Sequence, residues 1–202
     1  MLKFIEQCDD RGEVKRIITS HQGQFLLSIP ELNKGSAFTN EERERFKLVG
    51  KLPSQVETIE EQASRYYAQC SALPDDLAKN EFLNSLKLHN MTVFYYLVAK
   101  HLAEFMPIIY TPTIGQAVEH YSFQFNSPRG LHMTYPNRGR LHLVTENISF
   151  PEVDLIIVTD GEGVLGIGDW GVGGIDICVG KLMVYTLCAG INPRRVLPIQ
   201  LD

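Results

Sequence analysis

The chain has 202 residues, of which 44% are hydrophobic and 21% are charged, the balance of an ordinary globular domain. A formal net charge of −5 argues against a nucleic-acid-binding protein, because such proteins normally carry a basic face. Acids lie among the first residues without a long apolar run, so the sequence predicts no signal peptide, and no apolar segment is expected to be long enough to span a membrane.

Helical patterns fill most of the first half of the chain, although residues 1–35 give no clear prediction. TNEE at 39–42 has the spacing of a capping box and predicts a short helix. Apolar residues recur at helical spacing over 57–72, and Asp75 can cap a further helix. Residues 91–105 are predicted to form one strongly apolar, buried helix.

The stretch MPIIYTPTIG contains a candidate functional tyrosine. Thr111 and Pro112 predict the N-cap and first residue of a helix. Tyr110 then lies at the positive end of that helix, where a phenol could donate a proton. A tyrosine that only packs at a helix start is the simpler interpretation of this pattern alone.

The pattern changes after residue 128. PRGLHMTYPNRGR at 128–140 is typical of loops and turns, whereas DLIIVTD at 154–160 predicts a strand buried on both faces. A helix is predicted from about Gly174 to Gly190, followed by a strand at 196–202. Strand, helix and strand predict a parallel βαβ unit, and therefore an α/β fold in which a helical N-terminal region precedes part of a parallel sheet.

GIGDWG at 166–171 formally matches the G-x-G-x-x-G dinucleotide fingerprint, but its context differs. A true fingerprint follows its strand directly, opens a helix at the third glycine and precedes an acid by about 20 residues. Here six residues, Asp160 to Leu165, separate the apolar run of the predicted strand from Gly166, and positions near 186 carry no acid. The sequence favours a short hairpin arm in which glycines allow tight turns, and a free-standing nucleotide-binding domain is the weaker alternative.

Lys181 is the only charged residue between Asp176 and Arg194. Its helical neighbours are mostly apolar, so the amine is expected to be partly dehydrated, which favours its neutral form and suits a base. The alternative is a lysine that reaches solvent or pairs with Asp169 or Asp176.

The four cysteines, Cys8, Cys70, Cys178 and Cys188, form no C-x-x-C pair. Their scattered positions predict reduced, mostly buried thiols in a cytoplasmic protein rather than a disulfide framework.

Five stretches of the sequence together resemble the malic enzyme family. They are MPIIYTPTIGQAVEHYS, PRGLHMTYPNRG, IIVTDGEGVLGIGDWG, VGKLMVYTLCAGINP and VLPIQLD, and they occur in the family's order over roughly residues 30–202. Members of that family continue well beyond the position of Asp202. The chain is therefore expected to be an N-terminal portion that stops before the NAD-binding Rossmann domain.

The resemblance implies a chemistry. Malic enzymes oxidise L-malate with NAD or NADP and decarboxylate the product to pyruvate, with Mn²⁺ or Mg²⁺ as Lewis acid. The family's catalytic lysine falls on Lys181, as the base for the C2 hydroxyl, and its catalytic tyrosine on Tyr110, as the acid that protonates C3. The metal ligands and the cofactor site lie beyond Asp202, so this portion by itself is expected to bind neither group and to be inactive.

Two positions depart from the family pattern. Where most malic enzymes carry an arginine that helps to hold malate, this sequence has Gly163, in a substrate-side wall that also includes Leu165. EGVLGIGDWG and IDICVGKLMVYT instead resemble the malolactic branch, whose members convert L-malate to L-lactate and CO₂ with bound NAD. Arg65 matches one arginine of the fumarate activator site, but His89 replaces the other, so no fumarate activation is expected.

The resemblance also suggests an organisation. Residues 1–128 are expected to form a helical region that contributes to a homo-oligomer, either a dimer or a tetramer, and to the Tyr110 side of the active site. Residues 129–202 are expected to form the first part of the α/β domain that carries Lys181. An ordinary NAD-dependent malic enzyme and a non-catalytic oligomerisation module remain as alternatives to a malolactic enzyme.

Overall fold

The computed structural model describes residues 4–11, 14–123, 127–148, 152–164 and 166–202. These residues form a mixed α/β structure, which confirms the predicted fold class. They divide into two compact units: Met1–Ala72 with Leu83–Lys100, and Leu73–Phe82 with His101–Asp202. The expected functional division at residue 128 stays a prediction.

The first unit contains a hairpin within residues 1–35, where the sequence pattern predicts no element clearly. Strands β1 (Phe4–Cys8) and β2 (Val14–Thr19) pair antiparallel. The helices that follow are α1 (Gly23–Leu27), α2 (Asn40–Arg45), α3 (Ile59–Ser71), the last part of α4 (Asp76–His89), and α5 (Met91–Lys100). One apolar cluster is formed by Leu26, Leu32, Phe38 and Leu48.

The predicted helix starts are confirmed by cap geometry. The side chains of Thr39 and Thr58 accept hydrogen bonds from the backbone amides of Glu42 and Glu61, respectively. Each glutamate carboxylate in turn accepts a hydrogen bond from the backbone amide of its threonine. Both α2 and α3 therefore begin with a capping box. Asp75 accepts from the amide of Ala78 at 2.8 Å, as expected for the cap of α4.

Arg43 is a buried charge that holds the irregular part of this unit together. Its guanidinium donates to five backbone carbonyls, those of Ser36, Phe38, Pro53, Ser54 and Gln55, at 2.6–3.2 Å. Five donors meeting five acceptors satisfy the hydrogen-bonding capacity of the group, which makes its burial tolerable.

The single helix predicted over 91–105 is wrong. Helix α5 ends at Lys100, and α6 (Leu102–Ile109) begins after His101, whose φ of −121° and ψ of 39° are not helical. The boundary between the two compact units lies between Lys100 and His101. Each helix therefore buries its apolar residues in a different unit, which periodicity along the chain cannot reveal.

The second unit contains a parallel sheet of three strands. Strand β3 (Leu131–Met133), which the sequence interpretation placed in a loop, pairs with β5 (Val196–Leu201), and β5 pairs with β4 (Leu155–Thr159). Strand order is β3-β5-β4. The remaining helices are α7 (Thr113–Glu119), α8 (Leu141–Glu146) and α9 (Ile175–Ala189), and α9 ends at left-handed Gly190 as predicted. The parallel βαβ unit is confirmed.

One prediction about β4 is wrong. The strand was expected to be buried on both faces, but Ile156 and Val158 are about half exposed in this chain, at 50% and 51%. Helix α9 packs on β4 and β5 and partly covers the other face, whose residues are half-buried. The continuous apolar run therefore predicted a parallel strand correctly, but its predicted burial on both faces is wrong. Burial depends on which elements cover each face of the sheet.

Proline stands in the middle of the central strand. Pro198 pairs with Ile157 on the β4 side, while the ladder to β3 begins one residue later, at Leu131 and Ile199. Gly130 lies against Pro198 with a φ of +70°, and a Cβ built there would be 2.2 Å from the Pro198 carbonyl oxygen. Only glycine allows this approach.

By length and composition, Gly171–Ala189 could cross a membrane, contrary to the sequence expectation. Half of its most apolar window is buried within the chain, against the strands and α7. This is the pattern of a core helix, and it is weak evidence for a membrane span.

Candidate functional site

A cavity of about 650 Å³ lies where the end of α6, the start of α7, the loop after β4 and α9 meet. It is lined by Tyr110, Thr111, Pro112, Ile114, Gly115, Ile157, Val158, Thr159, Asp160, Gly163, Val164, Gly166, Ile167, Ile177, Cys178 and Lys181. Three of the four residues singled out from the sequence, Tyr110, Gly163 and Lys181, therefore share one cavity. The fourth, Leu165, lies outside the described residues.

Tyr110 lies at the corner between two helices. Its amide donates to the carbonyl of Met106 at 3.1 Å, and its own carbonyl accepts from the amide of Ile114 at 2.9 Å. The N-cap of α7 is Pro112 and not Thr111, so that prediction is wrong by one residue. Tyr110 ends α6 instead of directly preceding a cap, because its φ of −138° and ψ of −145° leave the helical region.

Asn80 supports this corner and was missed by the sequence interpretation. The residue is 1% exposed, and its side-chain nitrogen donates to the carbonyl of Ile108 at 2.7 Å. That carbonyl belongs to the last turn of α6, where backbone acceptors lack helical partners. The signal in the sequence was an asparagine on the same helix face as Leu77 and Leu83, which lie three residues before and after it.

Gly180 brings α9 close to Tyr110. A Cβ built on Gly180 would lie 3.1 Å from Cδ2 of Tyr110 and 3.1 Å from the carbonyl oxygen of Ile109. The tyrosine ring thus packs on the α9 backbone one residue before Lys181.

Lys181 is exposed, so the expectation of a dehydrated amine is not met by the chain as described. Lys181 lies one helical turn after Cys178 and lines the same cavity. Because this cavity is open, solvent reaches the lysine side chain. The pairing with Asp176 considered as an alternative is also wrong: Asp176 is buried and binds Arg129 at 2.7 Å.

Cys178 is the buried neighbour of Lys181 on the cavity wall, with 1% of its surface exposed. Burial raises the pKa of the Cys178 thiol to about 11, while the charge of Lys181 acts in the opposite direction. The thiol is therefore protonated near neutral pH and makes a weakly polar wall. All four cysteines are free, but Cys8 and Cys188 are exposed, so the prediction of mostly buried thiols holds for two of them.

GIGDWG forms the hairpin arm that the sequence favoured. Val164 and Gly168 pair in a short antiparallel bridge, and Gly166 and Gly168 both have a φ of +87°. The last glycine of the motif packs closely against Gly161, because a Cβ on Gly161 would lie 2.2 Å from the carbonyl oxygen of Gly171. Because β4 ends at Thr159 and α9 begins only at Ile175, these glycines do not join a strand directly to a helix N-terminus, and so the described residues do not fit a dinucleotide phosphate site.

Within the part of the chain that the structure describes, no three His, Cys, Asp or Glu side chains come together as metal ligands would. The described residues therefore do not fit a metal site of their own.

Arg65, the residue matched to the fumarate activator site, is engaged within the chain. Its guanidinium donates to the Glu57 carboxylate at 2.6 and 3.2 Å, and Ser36 donates to the same carboxylate. The Arg65 hydrogen bond, followed by that of Ser36, lowers the pKa of Glu57. The absence of fumarate activation stays a prediction.

Comparison with known proteins identifies the family. The family model described as "Malic enzyme, N-terminal domain" matches residues 87–202, which include Tyr110, Gly163 and Lys181. The chain belongs to the malic enzyme family. It represents the N-terminal portion of such a protein, as the sequence motifs predicted.

Curated members of the malic enzyme family match nearly the whole chain. NAD-dependent malic enzyme 3 of Bacillus subtilis is 50% identical over 188 residues, covering 92% of this chain and 33% of the relative. An NAD-dependent malic enzyme of Aeromonas hydrophila is 45% identical over 194 residues, and one of Pectobacterium carotovorum is 50% identical over 182. The chain spans about a third of the length of these relatives.

Proposed function

We propose that this chain supplies the substrate-side half of an active site that decarboxylates L-malate with NAD as the hydride acceptor. The observation that carries the proposal is the meeting of Tyr110, Gly163 and Lys181 on one cavity in a chain of the malic enzyme family. The NAD dependence rests on three relatives that are named NAD-dependent malic enzymes.

In the proposed reaction, residues of this chain accept and donate protons. The Lys181 amine would take the proton of the C2 hydroxyl as the O–H bond breaks, and the Tyr110 phenol would later protonate C3. NAD, when bound, supplies the acceptor for the hydride that leaves C2. Because the described residues fit neither a dinucleotide site nor a metal site, these two proton transfers are the only steps assigned to the chain.

Gly163 favours a second candidate, the malolactic outcome. A glycine provides no bidentate partner for a malate carboxylate, and the surrounding motifs resemble the malolactic branch. The names of the relatives favour the oxidative outcome, with pyruvate and NADH as products.

Incubating the full-length protein with L-malate, NAD and Mn²⁺ tests the proposal, with NADH followed by absorbance while pyruvate and lactate are assayed together. Pyruvate with equimolar NADH establishes the oxidative reaction, and lactate without free NADH establishes the malolactic one. If the protein forms neither pyruvate nor lactate, the proposed function is refuted.

Replacement of the base tests the site assignment. Lys181→Ala in the full-length protein is expected to lower kcat by at least about a hundredfold, because a positioned general base contributes on the order of 10²–10⁴. Lys51→Ala, which removes an exposed lysine outside the cavity, is the matched control and should keep activity. Normal turnover by a folded Lys181→Ala protein would rule out the assignment.

A further inference from the structure

Gly180 is the only glycine within α9, which runs from Ile175 to Ala189. Glycine weakens a helix interior relative to alanine, because it loses more backbone freedom on folding. Its presence directly before Lys181 therefore needs a local reason.

The local reason is space. The backbone of Gly180 is helical with a negative φ, so left-handed geometry does not require glycine here. A Cβ at this position would lie 3.1 Å from Cδ2 of Tyr110, 3.1 Å from the Ile109 carbonyl oxygen and 3.5 Å from Cδ1 of Ile114. The two shorter distances are below ordinary van der Waals contact, so an added methyl group must displace its neighbours.

The structure assigns Gly180 as a positioning residue that sets the separation between Tyr110 and Lys181. The absent side chain lets the tyrosine ring lie against α9 beside the lysine, and the inference rests on the proposed roles of these two groups. Gly180 acts through Tyr110 and touches no reacting atom itself.

The corner that carries Tyr110 has little freedom to retreat. One of the two closest atoms is a backbone carbonyl oxygen, and the adjacent Ile108 carbonyl is held by Asn80 at 2.7 Å. A methyl group at position 180 is therefore expected to shift the ring of Tyr110 relative to Lys181 instead of being absorbed by the end of a flexible side chain.

Gly180→Ala in the full-length enzyme tests this assignment. We expect kcat to fall about tenfold to a hundredfold, since misplacement by a fraction of an ångström to one ångström costs catalysis that much. The midpoint of thermal unfolding should change little, because the better helix propensity of alanine offsets the cost of displacing the tyrosine ring. Gly139→Ala is the matched control: its Cβ would meet no described atom within 4 Å, and it should leave kcat unchanged.

A double-mutant cycle with Tyr110→Phe isolates the coupling. If Gly180 acts through the phenol, Gly180→Ala should lower kcat much less in the Tyr110→Phe background than in the native one. Equal effects in both backgrounds would overturn the assignment. A loss of kcat accompanied by a matching loss of thermal stability would also overturn it, because that result describes a packing defect.

A spectroscopic measurement separates this inference from the proposed function. With 3-fluorotyrosine placed at position 110 of the full-length protein, Gly180→Ala should shift the ¹⁹F resonance and Gly139→Ala should not. If the native enzyme does not turn over malate, the proposed function fails, and the ¹⁹F shift still decides whether Gly180 positions Tyr110. An unchanged resonance refutes the contact.

Discussion

At the scale of single residues, the site depends on what side chains are absent. Gly180 gives room to Tyr110, and Gly163 leaves one wall of the cavity open. A Cβ at Gly163 meets none of the described atoms within 4 Å, and the residue does not have a positive φ. A side chain can therefore start at position 163 without a clash at its Cβ.

Introducing an arginine at this position should strengthen malate binding. Gly163→Arg in the full-length enzyme is expected to lower KM for L-malate about tenfold, because a hydrogen bond between charged groups contributes roughly 1.5–3 kcal/mol. Steady-state kinetics with simultaneous lactate and pyruvate assays provide the measurement. The product ratio should move toward pyruvate.

Gly163→Gln is the control for side-chain length without charge. It should leave KM for L-malate near the native value. A glutamine variant that matches the arginine variant would show that added contact, and not a carboxylate anchor, lowers KM.

At the scale of elements, helix boundaries follow local chemistry. Thr58 and Glu61 form the capping box of α3, and both hydrogen bonds are present, at 2.8 and 3.2 Å. These boundaries were predictable because caps depend on neighbours within one turn. The break at His101 and the short strand β3 were not predictable, because both depend on residues distant in sequence.

Removal of a cap should therefore have a local and measurable cost. Thr58→Ala is expected to lower the free energy of unfolding by about 1 kcal/mol, since the backbone amide of Glu61 loses its hydrogen-bond acceptor. Urea unfolding followed by circular dichroism measures this change. Thr92→Ala, an exposed threonine inside α5, should not destabilise the protein, because alanine is the better helix former there. Equal losses in both variants would contradict the capping explanation.

At the scale of the whole molecule, the chain supplies part of a site. Its cavity brings together Tyr110 and Lys181, the two groups proposed to transfer protons, whereas the described residues offer no dinucleotide fingerprint and no cluster of metal ligands. Homo-oligomer formation and a cytoplasmic location stay predictions.

The 202-residue chain alone is expected to bind NAD weakly or not at all, because the glycines between β4 and α9 do not join the strand directly to a helix N-terminus. Isothermal titration of NAD into this chain, with the full-length protein as the positive control, provides the test. Saturable binding by the chain alone would support the nucleotide-binding alternative.

The sequence alone determined the family, the α/β class, the parallel βαβ unit and three residues of the cavity. These features depend on local periodicity, caps and motifs, which are written along the chain. Tertiary structure decided which groups face each other: Asp176 binds Arg129 and not Lys181, the Lys181 side chain is exposed, and Gly180 admits Tyr110. Burial and contact arise from segments far apart in sequence, so no local pattern specifies them.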